Sequence, residues 1–287
     1  MIGQAFYPGK PQRFTRPRPR TYLLDGDRVP GVTTVIGTLD KPALVGWASN
    51  VTASHAVENW DRLAGMSLMN RLEELKKARF NLNKKAVVSG KRIHEMAERL
   101  TKGEEVEVPH EYRNAVEAFA RTLDEWELEA IALETPCAHS EYRYAGTFDG
   151  LYYSPRLGTV LGDNKTGKKI YPETALQLAA YRFTDLRLEE EAQPDGPRGG
   201  KKPSIWVEKP MIQVDCAIGI HISQDTDESP ASVEILPIEA GEREFDTFLH
   251  LLEVHETWIK RTGFNFRNDA TYDNPIGEPI YPEGNNR

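Results

Sequence analysis

Two cysteines, Cys137 and Cys216, are all the thiol chemistry this chain has. They are too few for the four thiolates that an iron–sulfur cluster normally requires, and they read as reduced thiols of a cytoplasmic protein rather than a disulfide framework. No apolar run approaches the ~20 residues of a membrane span. Met1-Ile-Gly-Gln-Ala-Phe lacks the pattern of a signal peptide, so the expectation is a protein of the cytoplasm with no membrane partner. A Gly-rich Lys-Ser/Thr phosphate loop is missing, which argues against a built-in helicase motor. Gly-x-Ser-x-Gly and His-Glu-x-x-His are missing too, so esterase and zinc-protease chemistries have no support. No internal repeat is visible.

What is present is acidic overall, with a net charge of −8. The two signs are segregated. Basic residues gather in Arg13-Phe-Thr-Arg-Pro-Arg-Pro-Arg20, Lys76-Lys-Ala-Arg79, Asn83-Lys-Lys85 and Lys91-Arg92. The acids concentrate after residue 185, in Glu189-Glu-Glu191, Asp225-Thr-Asp-Glu228 and Glu239 to Glu244. Such a split lets the first half follow a polyanion while the second keeps the protein dispersed.

The informative run lies between Gly146 and Tyr181. It reads Gly-Thr-Phe-Asp149-Gly, then Gly-Asp163-Asn-Lys165-Thr-Gly, then Gln177-Leu-Ala-Ala-Tyr181. Thr159-Val160-Leu161 marks a strand leading into Asp163, and alternation puts Asp163 and Lys165 on one face. Two carboxylates tolerate close approach only with a cation between them. Acid, acid and lysine together therefore predict a hard divalent metal beside an ammonium, a combination suited to phosphodiester hydrolysis. Gln177 and Tyr181, four apart, share one face of a helix.

Asp149 followed by Asp163-x-Lys165 resembles the core motif of the PD-(D/E)XK nucleases. Gln177-x-x-x-Tyr181 resembles the helix signature of their RecB-like exonuclease branch, of the type encoded by phages. Upstream, Val88-Ser-Gly-Lys-Arg-Ile-His94-Glu-Met-Ala-Glu98 resembles the Gly-x-x-x-His helix of that branch. The resemblance implies an α/β, restriction-endonuclease-like core, with a central mixed β-sheet flanked by helices and preceded by a helical region. It implies a metal-dependent DNA exonuclease of recombination, repair or replication. Asp149, Asp163, the Asn164 carbonyl and His94 would hold one or two Mg²⁺ or Mn²⁺ ions. Lys165 would orient water or stabilise developing charge, while Gln177 and Tyr181 position the ligands or the strand. A glutamate on the preceding strand is also implied; Glu134 is favoured for it over Glu141. Glu98 could orient His94 or simply be a solvated charge. The CRISPR-associated members of the branch carry an iron–sulfur cluster, and no such cluster is expected here. Partners would be DNA, with a linear end, and a single-strand annealing protein or helicase. A structure-specific endonuclease, a non-catalytic DNA-binding adaptor on the same fold and a homo-oligomer all stay open.

Along the chain, residues 1–20 read as a flexible basic arm and 21–262 as one nuclease domain. Its helical part spans about 40–128 and its core about 130–260, with a mobile insertion near 189–210; a polar tail fills 263–287. Asp25-Gly26 marks a hairpin turn. Gly31-Val-Thr-Thr-Val-Ile36 reads as a strand. Pro42 opens a helix whose Leu44, Trp47, Ala48 and Val51 form an apolar stripe, with Trp47 in the core. Helices are expected over 61–80, 88–101, 111–127 and 241–260, and a hairpin over 214–238.

Overall fold

The structure, a computed structural model, describes residues 12–192, 204–223 and 230–262, leaving aside the side chains of 82–87. Residues 1–11, the 263–287 tail, the Asp225-Thr-Asp-Glu228 turn and the side chains of Asn83-Lys-Lys85 thus lie outside the described residues.

A three-stranded antiparallel sheet comes first, from β1 (Phe14–Arg18), β2 (Thr21–Leu24) and β3 (Asp27–Val29). Asp25 and Gly26, at φ 53° and 86°, make the two-residue turn that matches the twist of a hairpin. The second half of the expected arm is therefore a strand. Phe14 is wholly buried with Tyr22 and Leu24, and its N–H donates to Glu208 Oε2 at 2.6 Å. Pro17 is tolerated because β1 is an edge strand.

Residues 32–36 correct a second expectation: they form a helix, α1 (Val32–Ile36), not a strand. Val32, Val35 and Ile36 are all buried at spacings of three and four. Burial of one helical face overrides their β-branched propensity.

Pro42 opens α2 (Pro42–Glu58), followed by α3 (Trp60–Ala64) and α4 (Leu68–Thr101). The α2 stripe is not core: this helix has no buried residue, and Trp47 is 37 % exposed. Ala48, Val51, Thr52, His55 and Ala56 form one half-buried face, while Leu44 and Trp47 at the start of the stripe stay exposed. The helices expected over 61–80 and 88–101 largely merge into α4, capped by the Ser67 side chain accepting from the Asn70 N–H. Gly90 lowers helix propensity by about 1 kcal/mol, too little to break a helix of 34 residues. A 3₁₀ turn (His110–Tyr112) leads into α5 (Arg113–Glu125), with Ala115, Val116 and Phe119 buried.

The central sheet is mixed and has seven strands, β4 (Glu129–His139), β5 (Tyr144–Ser154), β6 (Gly158–Lys165), β7 (Leu186–Glu191), β8 (Ile205–Pro210), β9 (Cys216–Ile222) and β10 (Val233–Ile238). They lie in the order β10-β9-β6-β5-β4-β7-β8. Only β6 and β9 run parallel, and the crossover between them begins with α6 (Glu173–Arg182). The described ends of the supposed insertion are instead the hairpin β7–β8. Leu188 is fully buried there and Lys209 pairs with Glu191 at 2.6 Å; residues 193–203 lie outside the described residues. The described residues end in α7 (Glu242–Val254), a π turn (His255–Ile259) and α8 (Lys260–Thr262).

Two cores sandwich the sheet. One packs α1, α6 and α7 against Tyr144, Phe148, Leu151 and Leu161. The other packs the end of α4 and α5 against Tyr152, Val160, Ile218 and Ile220. Among the described residues no helix is long and apolar enough to cross a membrane. Gly146 shows how tight the first core is: a Cβ there would lie 2.4 Å from Tyr181 Cε1. Gly146→Ala should therefore destabilise the fold by roughly 1–3 kcal/mol, read as a lower midpoint in urea unfolding; an unchanged midpoint would mean the ring is free to move.

Candidate metal centre

The β5–β6 ladder brings the motif residues together. Its rungs run from Ser154↔Gly158 to Gly150↔Gly162, so Asp149 and Asp163 fall where the next rung would be. There the Asn164 N–H donates to Asp149 Oδ2 at 2.8 Å. Leu161 packs toward α6, and alternation sends Asp163 and Lys165 the same way. Gln177 of α6 donates from Nε2 to Asp163 Oδ1 at 3.0 Å, and Lys165 Nζ lies 2.5 Å from Asp163 Oδ2.

From the opposite side comes α4. Gly90 lets it approach closely, since a Cβ there would sit 2.6 Å from Thr166 Oγ1. One turn later His94 Nε2 lies 2.7 Å from the Asn164 carbonyl oxygen. A carbonyl only accepts, so this contact assigns a proton to Nε2 and leaves Nδ1 as the nitrogen turned to the cluster. Nδ1 is 3.9 Å from Asp149 Oδ2. On β4, Glu134 falls opposite Asp149, between the pairs Leu133↔Gly150 and Thr135↔Phe148. Its φ is +46°, a left-handed conformation that a side chain adopts at a cost of order 1–3 kcal/mol and that gathers at functional sites. His94, Glu134 and Asp149 offer ligand atoms all within 4.8 Å of one another, each residue half-buried.

The electrostatics follow from this crowding. Burial, then the Asp149 charge, then Glu98, push the Glu134 carboxyl up to about 7, against Arg16 and Lys102, which favour its ionised form. Burial, then Asp149, also raise Asp163, opposed by Lys165 and His94. Asp163 Oδ2 is buried with the Lys165 ammonium as its partner, and Asn164 Oδ1 is buried close to the Tyr152 phenol. Carboxylates that resist ionising together, with an imidazole nitrogen among them, fit a bound cation. The His94–Glu134–Asp149 group can hold a metal ion.

The candidates thus divide. His94, Glu134 and Asp149 meet as one cluster. Asp163 turns to Lys165 and Gln177, and the Asn164 carbonyl faces His94. Tyr181 is 3 % exposed in the core beneath, against Gly146, where burial holds its phenol well above its ordinary pKa. Glu141 is exposed in the β4–β5 turn, which leaves Glu134 as the glutamate at the cluster. Glu98 pairs with Lys102 at 2.5 Å.

Two neighbours had no motif to announce them. The Tyr152 ring lies across Gly150 and Gly162, and its phenol is beside the Asn164 side chain; the facing glycines were the signal. Arg16 donates to Thr147 Oγ1 at 3.2 Å from within a Pro-Arg run. No protein-family model matches the chain, and no curated protein matches it.

For Glu134 the folded pKa lies above the ordinary value of 4.5. Its contribution to stability is thus complete below pH 4.5 and is lost as pH rises to about 7. Without added metal, Glu134→Gln should melt higher than wild type at pH 8 and alike at pH 4.5. Mn²⁺ should raise the wild-type melting temperature more at pH 8 than at pH 5, because ligands must shed protons to bind it. His94→Ala should lose most of that increase. An equal Mn²⁺ effect in wild type and His94→Ala would remove His94 from the ligand set.

Proposed function

We propose that this chain is a divalent-metal-dependent nuclease with a restriction-endonuclease-like core of the RecB-like PD-(D/E)XK type, hydrolysing DNA from a linear end. One observation carries the reading: the Lys165 ammonium is held on Asp163 next to a cluster of two carboxylates and an imidazole. Oxygen donors with one imidazole suit Mg²⁺ or Mn²⁺. Bound by His94 Nδ1, Glu134 and Asp149, such an ion would supply charge neutralisation for a phosphate oxygen and a lower pKa for water.

The chain's own groups do the rest. The Asn164 carbonyl keeps the His94 proton on Nε2, aiming Nδ1 into the cluster. Gln177 holds Asp163 Oδ1, and Asp163 in turn fixes Lys165. The Lys165 side chain, 32 % exposed, faces solvent enough to meet a phosphate. As an ammonium it only donates, so its part is to orient the attacking water or to stabilise charge growing on the phosphate. Asp149 is steadied by the Asn164 N–H.

End-labelled linear DNA should be degraded with Mg²⁺ or Mn²⁺ and left intact in excess EDTA, while closed circular DNA survives. Cutting of the circle would make the protein an endonuclease, and undiminished cutting in EDTA would sink the metal-dependent reading. Lys165→Ala should keep Mn²⁺ binding by calorimetry yet cleave roughly two to four powers of ten more slowly. If wild type and variant both bind DNA and neither cuts any form, the protein is an adaptor.

A further inference from the structure

Arg16 is built into the edge of this site, where its charge acts on Glu134 from a distance and its guanidinium makes contacts of its own. On β1, Thr15 pairs with Leu23 and Arg18 with Thr21. Three steps along β1 therefore match two along β2, which places one extra residue at Arg16-Pro17. Such a bulge re-aims a side chain, and Pro17, with no N–H to lose, suits it. The guanidinium reaches Thr147 Oγ1 at 3.2 Å, two residues before Asp149 on the same strand, and its charge is felt at Glu134. Tyr22 Oη holds the other side of that hydroxyl at 3.0 Å.

Among the described residues Arg16 forms no ion pair, whereas Arg13 pairs with Asp25 and Arg143 with Asp25 and Asp27. The guanidinium also lies 5.8 Å from the centroid of the Trp206 ring. Trp206 stands on β8, the outermost strand of the large sheet, and is 38 % exposed. Glu208 on that strand accepts the Phe14 N–H, tying β1 to β8 and so fixing Arg16 against Trp206. A cation with no ion pair among the described residues and an accessible indole thus stand side by side, at the rim of the candidate metal centre.

Resting on the nuclease reading, we infer that Arg16, Thr147 and Trp206 form a subsite for one unpaired nucleotide adjoining the cleaved bond. Arg16 and the Thr147 hydroxyl take its phosphate, and the indole stacks on its base. Guanidinium nitrogens match phosphate oxygens in a planar fork, and stacking on an aromatic ring accepts any base. A base within a duplex keeps its own stack and cannot lie on the ring. The subsite therefore selects a single-stranded or frayed end.

Fluorescence anisotropy tests this with the whole chain, a labelled single-stranded oligonucleotide and a blunt duplex of the same sequence, with Ca²⁺ present. Trp206→Leu keeps an apolar side chain and removes the ring. It should weaken single-strand binding about five- to a hundredfold, the range for one stacked base, and weaken duplex binding less; Trp206→Phe should recover most of the loss. Arg16→Gln can still donate to Thr147. It should flatten the dependence of log Kd on log salt by about 0.7, one single-strand phosphate contact, while Trp206→Leu leaves that slope unchanged. Wild-type melting temperature and Mn²⁺ affinity in each variant would exclude a merely structural role. Wild-type Kd and salt slope in both variants would overturn the subsite, even if wild type cuts DNA. A wild type that cuts nothing, with both variants impaired in binding, would keep the subsite and remove the nuclease.

Discussion

Glu134, Asp149 and Asp163 crowd one end of the β5–β6 ladder in a partly dry setting, and the Asp149 charge makes ionisation of Glu134 and of Asp163 harder. Everything near them answers that repulsion. Lys165 compensates Asp163, the Asn164 N–H compensates Asp149, and Arg16 and Lys102 act on Glu134 from a distance. A fold does not gather charge of one sign cheaply, and a purely structural ladder end would be satisfied by threonine or asparagine. The arrangement makes physical sense as half of a site whose other half is a cation.

Meeting that requirement depends on how closely separate elements approach. The sheet alone supplies the carboxylates and the lysine. The imidazole must come from α4, which can reach only because Gly90 removes a side chain that would collide with Thr166. Gln177 must come from α6, which the two-layer core presses onto the strands through Leu178, Ala179 and Tyr181. The small sheet, pinned through Phe14 and Glu208, contributes Arg16, whose charge acts on Glu134. Four elements distant in sequence converge, each through a short steric or hydrogen-bonded contact.

The hallmark of the site was legible because local periodicity carries it. Two-residue alternation put Asp163 and Lys165 together, four-residue spacing aligned Gln177 with Tyr181, and a glycine one turn before His94 marked a close helix contact. What periodicity cannot show is which neighbour each side chain finds. Asp149 and Asp163 look equivalent as motif letters, yet one joins His94 and Glu134 and the other binds Lys165. Tyr181 shares a face with Gln177 but, one turn on, is already in the core. Composition misled where tertiary contacts override it. Arg-Pro repeats look disordered until Phe14 finds its pocket, and Val32–Ile36 looks like a strand until burial of one helical face decides. The α2 stripe was right as a face and wrong as core, since Ala48 and Val51 are only half-buried and Leu44 and Trp47 are exposed.

The left-handed backbone at Glu134 carries a consequence for anyone redesigning this protein. Glycine at that position would relax the chain, and asparagine tolerates the conformation better than glutamate. Both would also relieve the repulsion from Asp149. A search for thermal stability alone would therefore choose residue 134 among its first changes and score the result as an improvement. The resulting protein would be sturdier, would keep its circular dichroism spectrum, and would have lost a carboxylate from the His94–Glu134–Asp149 cluster.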